Sequence, residues 1–427
     1  MTDMTSAHAT GFRCLRCGQV SPYRFPAYRC QECGGNLAVT YDLEAIGAQF
    51  VPPTAEQREA LGHFAYGAFL PVEAELGSRF DLPVGPSPLV EAPGLAAKWG
   101  VDRLWFKDDT RLPSGSFKDR ASSVVVRAAR QNGVKIISTA STGNAGCSLA
   151  CMCAREGLTA VVFVPKLAPP GKVAQLLAYG AVVVQVDGRY DDAFDLCFEL
   201  SRERGWFNRS TGWNPLTREG KKTVSFEICD QLGWSAPELV VVPVGDGNII
   251  SGTWKGFAEL RGAGVVDTTP RLLAVQSTQS NAVSLAFGRS NEGVPQGQWV
   301  QGVDATTRAD SISVDVPRDG EGAVLALRES HGDVIEVEDR EILAAIPQMA
   351  SETGIFPEPA ASAAFAGLRR WLEKVPAKER PRTVVVLVTG NGLKDIGATL
   401  DSSLEAVQVP NNRRESSRIL DEVLQSR

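Results

Sequence analysis

The feature that most constrains the fold is an alternation of short apolar runs with amphipathic helical segments, which starts near residue 85. Runs rich in valine, isoleucine and leucine are typical of strands buried on both faces of a parallel sheet. The predicted strands are Lys135–Ser138, Ala160–Val164, Ala181–Val186, Leu239–Val244, Arg271–Val275 and Thr383–Val388. The predicted helices include Phe117–Gln131, Gly171–Tyr179, Asp191–Arg204 and Asp339–Glu352. This pattern predicts an α/β fold with one or two doubly wound sheets.

Length and charge narrow the class of protein. The chain has 427 residues, which predicts two or three units at about 150 residues per domain. A net charge of −6 argues against a nucleic-acid or anionic-membrane surface as the main function. The sequence has neither a long apolar run nor an N-terminal signal pattern, so we expect a cytoplasmic protein. The three histidines stand beside no nucleophile, which directs attention to lysine, carboxylate and cofactor chemistry.

Four of the nine cysteines form two Cys-x-x-Cys pairs near the N-terminus. Cys14 and Cys17 form the first pair, and Cys30 and Cys33 follow after twelve residues. This spacing matches four thiolates around a tetrahedral zinc ion, and such a closed site is structural rather than catalytic. We therefore predict a zinc ribbon; a ribbon that has lost its metal is the alternative. The other five cysteines are predicted to lie in the core.

Lys118 stands out at one of the predicted strand-to-helix junctions, where ligands bind in folds of this class. It lies in the first turn of a helix, where a positive charge opposes the helix dipole. Its neighbours in Pro113–Arg120 are small residues and Phe117, a setting that lowers the pKa of an amine through burial. A free amine is what Schiff-base chemistry requires. The alternative is an ordinary solvated surface lysine.

Three further junctions carry polar loops. Ser138–Gly146 places hydroxyl groups and glycines at a helix N-terminus, which suits a carboxylate. Pro243–Gly252 is a glycine-rich turn of the kind that binds phosphate through backbone amides. Val388–Asp395 has a hydroxyl residue, Thr389, directly after the apolar run. Each loop alone is also typical of a plain turn, but the set together with Lys118 fits pyridoxal 5′-phosphate, which has a phosphate, an aldehyde and a ring nitrogen.

From about Pro86 to Asp395 the sequence resembles the fold-type II pyridoxal-phosphate enzymes, and within them the threonine synthases. The motifs that carry the resemblance are Ser114-Gly115-Ser116-Phe117-Lys118-Asp119-Arg120, Ser141-Thr142-Gly143-Asn144, Asn214-Pro215 with Glu219–Thr223, Phe356–Ala363 and Thr389–Asp395. The resemblance implies a homodimer with two doubly wound α/β domains and a zinc-ribbon-like N-terminal segment. The implied boundaries are 1–45 for the ribbon, 46–125 with 240–427 for the larger, cofactor-binding domain and 126–239 for the smaller domain.

The resemblance also implies roles for individual residues. Lys118 would form the Schiff base with the cofactor and move protons, Asn144 would bind the phenolic oxygen, and Thr389 would face the pyridine nitrogen. The cofactor phosphate would lie on Gly245, Asp246, Gly247, Asn248 and Ile249. The substrate, a small phosphorylated amino acid, would be held by Ser141, Thr142, Asn144, Asn214, Arg218 and Lys222. The implied reaction converts O-phospho-L-homoserine and water to L-threonine and phosphate by γ-elimination and β-addition.

Three departures from the family's pattern fall near the substrate. The family usually reads Asn-Pro-x-Arg-x-Glu-Gly-x-Lys-Thr, but here Thr217 replaces the arginine and Arg218 follows it, a rotation of about 100° on a helix. Ala145-Gly146 replaces a Thr-Ser pair, and the Gly245–Asn248 loop is one residue shorter and contains an acid. Two alternatives therefore stay open. One is β-replacement or elimination on O-phosphoserine or a similar amino acid, as in cysteate synthases or ammonia-lyases; the other is a cofactor-binding zinc-ribbon protein without turnover.

Overall fold

The structure, a computed structural model, describes residues 8–73, 82–141, 143–168, 170–188, 190–402 and 406–425. The strands are β1 Ala9–Cys14, β2 Val20–Pro22, β3 Leu37–Tyr41, β4 Leu89–Glu91, β5 Arg103–Asp108, β6 Ile136–Ala140, β7 Thr159–Pro165, β8 Val182–Val186, β9 Phe207–Asn208, β10 Leu239–Pro243, β11 Arg271–Ser277, β12 Asp333–Val337 and β13 Thr383–Val388. The helices are α1 Leu43–Gln49, α2 Ala55–Leu61, α3 Pro93–Trp99, α4 Lys118–Gln131, α5 Asn144–Glu156, α6 Pro170–Ala178, α7 Tyr190–Arg204, α8 Leu216–Lys221, α9 Thr223–Gln231, α10 Asn248–Gly262, α11 Ala282–Asn291, α12 Gly320–Glu329, α13 Asp339–Thr353, α14 Pro359–Lys374, α15 Ile396–Ser402 and α16 Arg413–Gln425.

The larger sheet has six strands in the order β12-β11-β10-β13-β5-β4. All neighbours are parallel except β4, which is an antiparallel edge strand. Successive residues of a strand point to opposite faces, and both faces of this sheet are covered. Val241 and Val384 pack into one buried cluster with α3, α13 and α14, whereas Val240 and Val385 pack into another with α9, α10 and α12. The valine-rich runs are therefore explained by burial on both sides.

The smaller sheet has four parallel strands in the order β8-β7-β6-β9. Val162 packs with α4, α5 and α6 on one face, and Val161 packs with α7 on the other. The predicted α/β class with two doubly wound sheets is confirmed. The residue boundaries of the two domains stay a prediction, because the sheets fix only where the strands lie.

The N-terminal segment forms a third sheet, antiparallel, in the order β2-β1-β3. The two Cys-x-x-Cys turns lie beside it, and the glycine after each turn adopts a positive φ, 73° at Gly18 and 67° at Gly34. The sulfur atoms of Cys14, Cys17, Cys30 and Cys33 all lie within 4.8 Å of one another. This arrangement is compatible with the predicted zinc-ribbon-like segment.

Strand β5 was not among the predicted strands, because its sequence contains charged residues that are usually exposed and are buried here. Lys107 is fully buried and donates to the Ser87 carbonyl and to the Gln231 side chain, each at 2.7 Å. It also pairs with the Glu227 carboxylate at 2.7 Å.

The five cysteines predicted to be core residues are buried. Among the described helices, none is both long and apolar enough to cross a membrane.

Candidate active site

A cavity of about 710 Å³ lies at the carboxyl ends of strands from both large sheets. Loops that follow β6, β9, β10 and β13 contribute to its lining, together with the last residue of β7, Pro165. Its volume is within the range of small-molecule sites, about 300–1,000 Å³. The motif loops meet beside it, because Ser116 forms a backbone bridge with Gly390, and Pro357 forms one with Asn391.

Lys118 lines the cavity as the first residue of α4. The loop before it is held by Asp119, whose carboxylate accepts hydrogen bonds from the Ser114 backbone N–H at 2.7 Å and the Ser114 hydroxyl at 2.6 Å. The Phe117 N–H donates to the Thr389 carbonyl at 2.9 Å. The start of α4 is therefore fastened to the end of β13, which fixes the position of the lysine.

The surroundings of the Lys118 amine favour its neutral form. Burial lowers the pKa of the amine; the Glu358 carboxylate opposes this shift, the positive charge of Arg209 adds to it, and Asp246 opposes it. Within the described part of the chain, the amine has no hydrogen-bond or ion-pair partner. A neutral amine without a partner at a cavity wall is suited to act as a nucleophile or a base.

Glu358 is a site residue that the sequence analysis did not single out, although its motif carried part of the resemblance. It lines the cavity, and both oxygens of its carboxylate accept from the Asn144 amide, at 3.1 and 2.9 Å. Burial raises the pKa of the Glu358 carboxyl, whereas the hydrogen bond from Asn144 and the charge of Lys118 lower it. Glu358 thus positions the Asn144 side chain beside the lysine.

The glycine-rich loop after β10 packs closely against the chain segment that contains Asp319. Gly247 has a φ of 87° at the N-terminus of α10, and a Cβ there would lie 2.6 Å from the Asp319 carbonyl oxygen. The Asp246 carboxylate accepts from the Arg318 N–H at 2.6 Å, which ties the loop to the neighbouring chain segment. The first N–H groups of a helix have no partner inside the helix. The loop and the first turn of α10 therefore present donors suited to a phosphate.

Two of the remaining predicted residues lie at the same cavity. Thr389 follows β13, and its hydroxyl has no hydrogen bond within the described ranges. Ser141 follows β6, and its hydroxyl accepts from the N–H groups of Gly143 and Gly146 at 3.2 and 3.1 Å. Ser141 therefore caps the N-terminus of α5. Thr142 lies outside the described residues.

The residues present fit pyridoxal phosphate. The cavity is large enough for it, and Lys118, the donor-rich loop and Thr389 all line its wall. Comparison with known proteins agrees with this fit. A family model described as pyridoxal-phosphate dependent enzyme matches residues 80–390.

Two relatives match nearly the whole chain. The threonine synthase of Methanocaldococcus jannaschii is 36% identical over 96% of this chain and 99% of its own length. The threonine synthase of Methanosarcina acetivorans is 35% identical over 94% and 96%. The chain belongs to the threonine synthase group of the pyridoxal-phosphate-dependent enzymes. The resemblance that the motifs indicated is confirmed.

A solved structure supports the fold of this threonine synthase family member. Threonine deaminase isoform 2 from Solanum lycopersicum superposes with a TM-score of 0.65 at 22% identity, and the match covers 83% of this chain and 98% of that chain. At that identity the likeness concerns the fold alone. The predicted fold-type II architecture is confirmed.

Three residues that the threonine synthase resemblance places at the substrate do not line the cavity. Arg218 donates to the Asp319 carboxylate and, at 2.8 Å, to the Leu37 carbonyl. Lys222 pairs with two carboxylates and lies 4.0 Å from the centre of the Tyr41 ring. The Asn214 side chain bonds to backbone groups of its own loop. The structure therefore does not bring these three side chains together with Lys118.

Two cations that the sequence analysis passed over do line it. Lys221, at the end of α8, donates to the Asn248 side-chain oxygen at 2.7 Å. Arg209 follows β9 and donates to the Thr211 hydroxyl at 2.8 Å. The signal available for Lys221 was its place in a known motif. Arg209 had no such signal, because β9 was not among the predicted strands. At the cavity wall the structure therefore has Lys221 and Arg209 where the prediction had Arg218 and Lys222.

Proposed function

We propose that this enzyme is a threonine synthase that converts O-phospho-L-homoserine and water to L-threonine and phosphate. The observation that carries the proposal is the Lys118 amine, which has no partner among the described residues and lies on the wall of a cavity that a glycine-rich loop at the N-terminus of α10 also lines. The names of the relatives, which match nearly the whole chain, point to the same reaction.

Pyridoxal phosphate, when bound, supplies an electron sink that stabilises negative charge on the substrate carbons. Lys118 is the group that removes the α and then a β proton, and its lowered pKa favours the neutral amine that accepts them. Phosphate leaves from the γ carbon with the electron pair of the C–O bond. Water adds its hydroxyl group to the β carbon, and protons return to the α and γ carbons.

The neighbouring residues position these reactants. Gly245, Asp246, Gly247, Asn248 and Ile249 hold the cofactor phosphate at the N-terminus of α10. Thr389 offers a neutral hydroxyl to the ring nitrogen, which does not force that nitrogen to carry a proton. Proton transfer therefore depends on Lys118. The N-terminus of α5, with Asn144 and Ser141, receives the substrate carboxylate.

Cys14, Cys17, Cys30 and Cys33 are proposed to bind a structural zinc ion. A tetrahedral site with Zn–S bonds near 2.3 Å requires sulfur atoms about 3.8 Å apart. The distances are 3.5 Å between Cys14 and Cys33 and 3.7 Å between Cys17 and Cys30. The cytoplasmic location stays a prediction from the sequence, and the homodimer stays a prediction of the resemblance.

The direct experiment measures threonine and phosphate released from O-phosphohomoserine by the purified holoenzyme. We expect equal amounts of both products, and less than about one-thousandth of that rate in Lys118→Ala. Turnover of O-phosphoserine with a nucleophile such as sulfite, without turnover of O-phosphohomoserine, would favour the cysteate-synthase-like alternative. A wild-type protein that binds the cofactor and turns over neither compound would favour the non-catalytic alternative.

A further inference from the structure

Helix α8 brings Lys221, rather than Arg218, to the cavity. Positions 217 and 221 are four residues apart and share one face of the helix. The Thr217 hydroxyl lies 3.2 Å from the Asn248 side-chain oxygen, and the Lys221 amine donates to the same oxygen at 2.7 Å. The side chain at position 221 therefore reaches the same oxygen as the side chain at position 217. The family has arginine at position 217.

Lys221, unlike the neighbouring Arg218 and Lys222, is not paired with a carboxylate among the described residues. Its side chain is buried, yet the described residues provide no carboxylate in contact with its amine. By contrast, Arg218 pairs with Asp319, and Lys222 pairs with Glu219 and Glu259. A buried cation without a counter-ion is costly. Because Lys221 lines the cavity, an anionic ligand is able to supply the missing charge.

The electrostatic surroundings of Lys221 also favour an anionic ligand beside it. Burial holds the pKa of the Lys221 amine well below its usual range. The positive charges of Lys118 and Arg209 shift the pKa in the same direction, whereas the carboxylates of Asp246 and Asp319 oppose the shift. The negative charge of a bound phosphate dianion would raise the pKa of the amine and return it to its charged form. The Ser210 hydroxyl, buried in the same wall, has no hydrogen-bond partner in the described segments. The Ser210 hydroxyl is therefore available to donate a hydrogen bond to a ligand near Arg209.

We propose that Lys221 is the residue that binds the phosphate group of the substrate. The inference rests on the proposed function, because it assumes a phosphorylated amino acid. The cofactor phosphate has its own donors in the backbone of Gly245–Ile249. Among the other cations that line the described cavity, Lys118 is the reactive amine and Arg318 is exposed. Lys221 is therefore the buried basic group, without a carboxylate in contact among the described residues, that is available to a second phosphate, with Arg209 and Ser210 beside it.

The test compares Lys221→Met with Lys221→Arg and with the double variant Thr217→Arg/Lys221→Met, all as holoenzymes. We expect Lys221→Met to raise the KM for O-phosphohomoserine and the inhibition constant of inorganic phosphate by about 10- to 100-fold. The apparent affinity for the cofactor, read from its absorption band, should change less than about threefold. Lys221→Arg should stay near wild type, and the double variant should recover most of the loss because it returns a cation to the same face of α8.

Lys378→Met, at an exposed lysine far along the chain, is the matched control and should leave every value unchanged. A Lys221→Met holoenzyme with wild-type KM and phosphate inhibition overturns the inference while the proposed function stands. A loss of cofactor affinity with unchanged KM also overturns it, because Lys221 would then serve the cofactor phosphate. A wild-type holoenzyme that binds inorganic phosphate more tightly than Lys221→Met does, but does not turn over O-phosphohomoserine, contradicts the proposed function alone.

Discussion

Asn36 and Asp319 join the N-terminal segment to the phosphate-binding loop. The Asn36 amide donates to one oxygen of the Asp319 carboxylate at 2.8 Å, and the other oxygen accepts from the Asn248 amide at 2.7 Å. Asn36 follows the second cysteine pair, and Asn248 begins α10. A hydrogen-bonded path of two contacts therefore runs from the cysteine cluster to the site proposed for the cofactor phosphate.

This path predicts that Asn36→Ala weakens cofactor binding about tenfold, because a buried carboxylate oxygen loses a donor and the Asn248 side chain loses support. Titration of the apoenzyme with pyridoxal phosphate, followed by absorbance, measures the effect. Gln31→Ala is the matched control, since Gln31 is exposed and bonds only to the Arg29 carbonyl. Equal cofactor affinity in both variants would show that the path carries no coupling.

Zinc removal should destabilise the N-terminal segment. We expect one zinc ion per chain by elemental analysis, and a decrease of several degrees in the melting temperature after treatment with a chelator. Cys30→Ser should reproduce the decrease and make the protein insensitive to the chelator, because one of four ligands is lost. Purified protein without zinc, and with a melting temperature unaffected by chelator, would identify the segment as a ribbon that has lost its metal.

His63 should make stability depend on pH. Its ring lies between the Thr223 and Ser123 hydroxyls at 3.0 and 2.9 Å, and burial lowers its pKa to about 3. Between that value and about 6.5, the unfolded chain binds a proton that the folded chain does not, so stability falls as the pH decreases through this window. The loss from pH 7 to pH 5 should be about 2 kcal/mol.

Denaturant titrations of wild type and His63→Gln at several pH values measure this contribution. The variant is expected to be less stable at pH 7, and its stability should fall by about 2 kcal/mol less than that of wild type between pH 7 and pH 5. Parallel curves for the two proteins would mean that the His63 ring takes up its proton equally in the folded and unfolded chains.

Arg120 should be among the residues most sensitive to neutral substitution. It is fully buried and pairs with the carboxylates of Asp109 and Glu227, each at 2.6 Å. Arg120→Met would leave both carboxylates without this partner, so we expect a loss of about 3–5 kcal/mol in the free energy of unfolding. Arg103→Met, which removes an exposed pair with Glu91, should cost less than about 1 kcal/mol. Similar losses in the two variants would contradict the assigned importance of burial.

The strands that could be predicted from the sequence are those whose residues are apolar on both faces. Val240 and Val241 point in opposite directions but both enter hydrophobic clusters, so the run alone indicates its environment. Strand β5 could not be found in this way, because Lys107 is buried through its pairing with Glu227. That partner lies 120 residues later in the chain, and no local pattern reveals it.

The same limit applies to the substrate side of the site. Lys118, Asn144, Thr389 and the loop after β10 could be assigned to one cavity because each follows the carboxyl end of a strand, β6 in the smaller sheet and β5, β13 and β10 in the larger one. Helix α8 is different, because Arg218, Lys221 and Lys222 are all buried. Which of these cations faces the ligand depends on whether an acid lies beside it, and Asp319 and Glu259 come from distant segments. A one-residue shift of the motif therefore could not be interpreted without the structure.

The central claim is that Lys118 is required for loss of phosphate from the γ carbon and addition of water at the β carbon. Turnover of O-phosphohomoserine in ¹⁸O-labelled water, with mass spectrometry of both products, tests this claim most directly. Breaking the bond between the γ carbon and oxygen leaves all original oxygens on phosphate, and water supplies the new hydroxyl group. We therefore predict one ¹⁸O atom in the threonine hydroxyl, none in the released phosphate, and no labelled threonine from Lys118→Ala. Label in the phosphate with homoserine as the product, or labelled threonine from Lys118→Ala at the wild-type rate, would contradict the account.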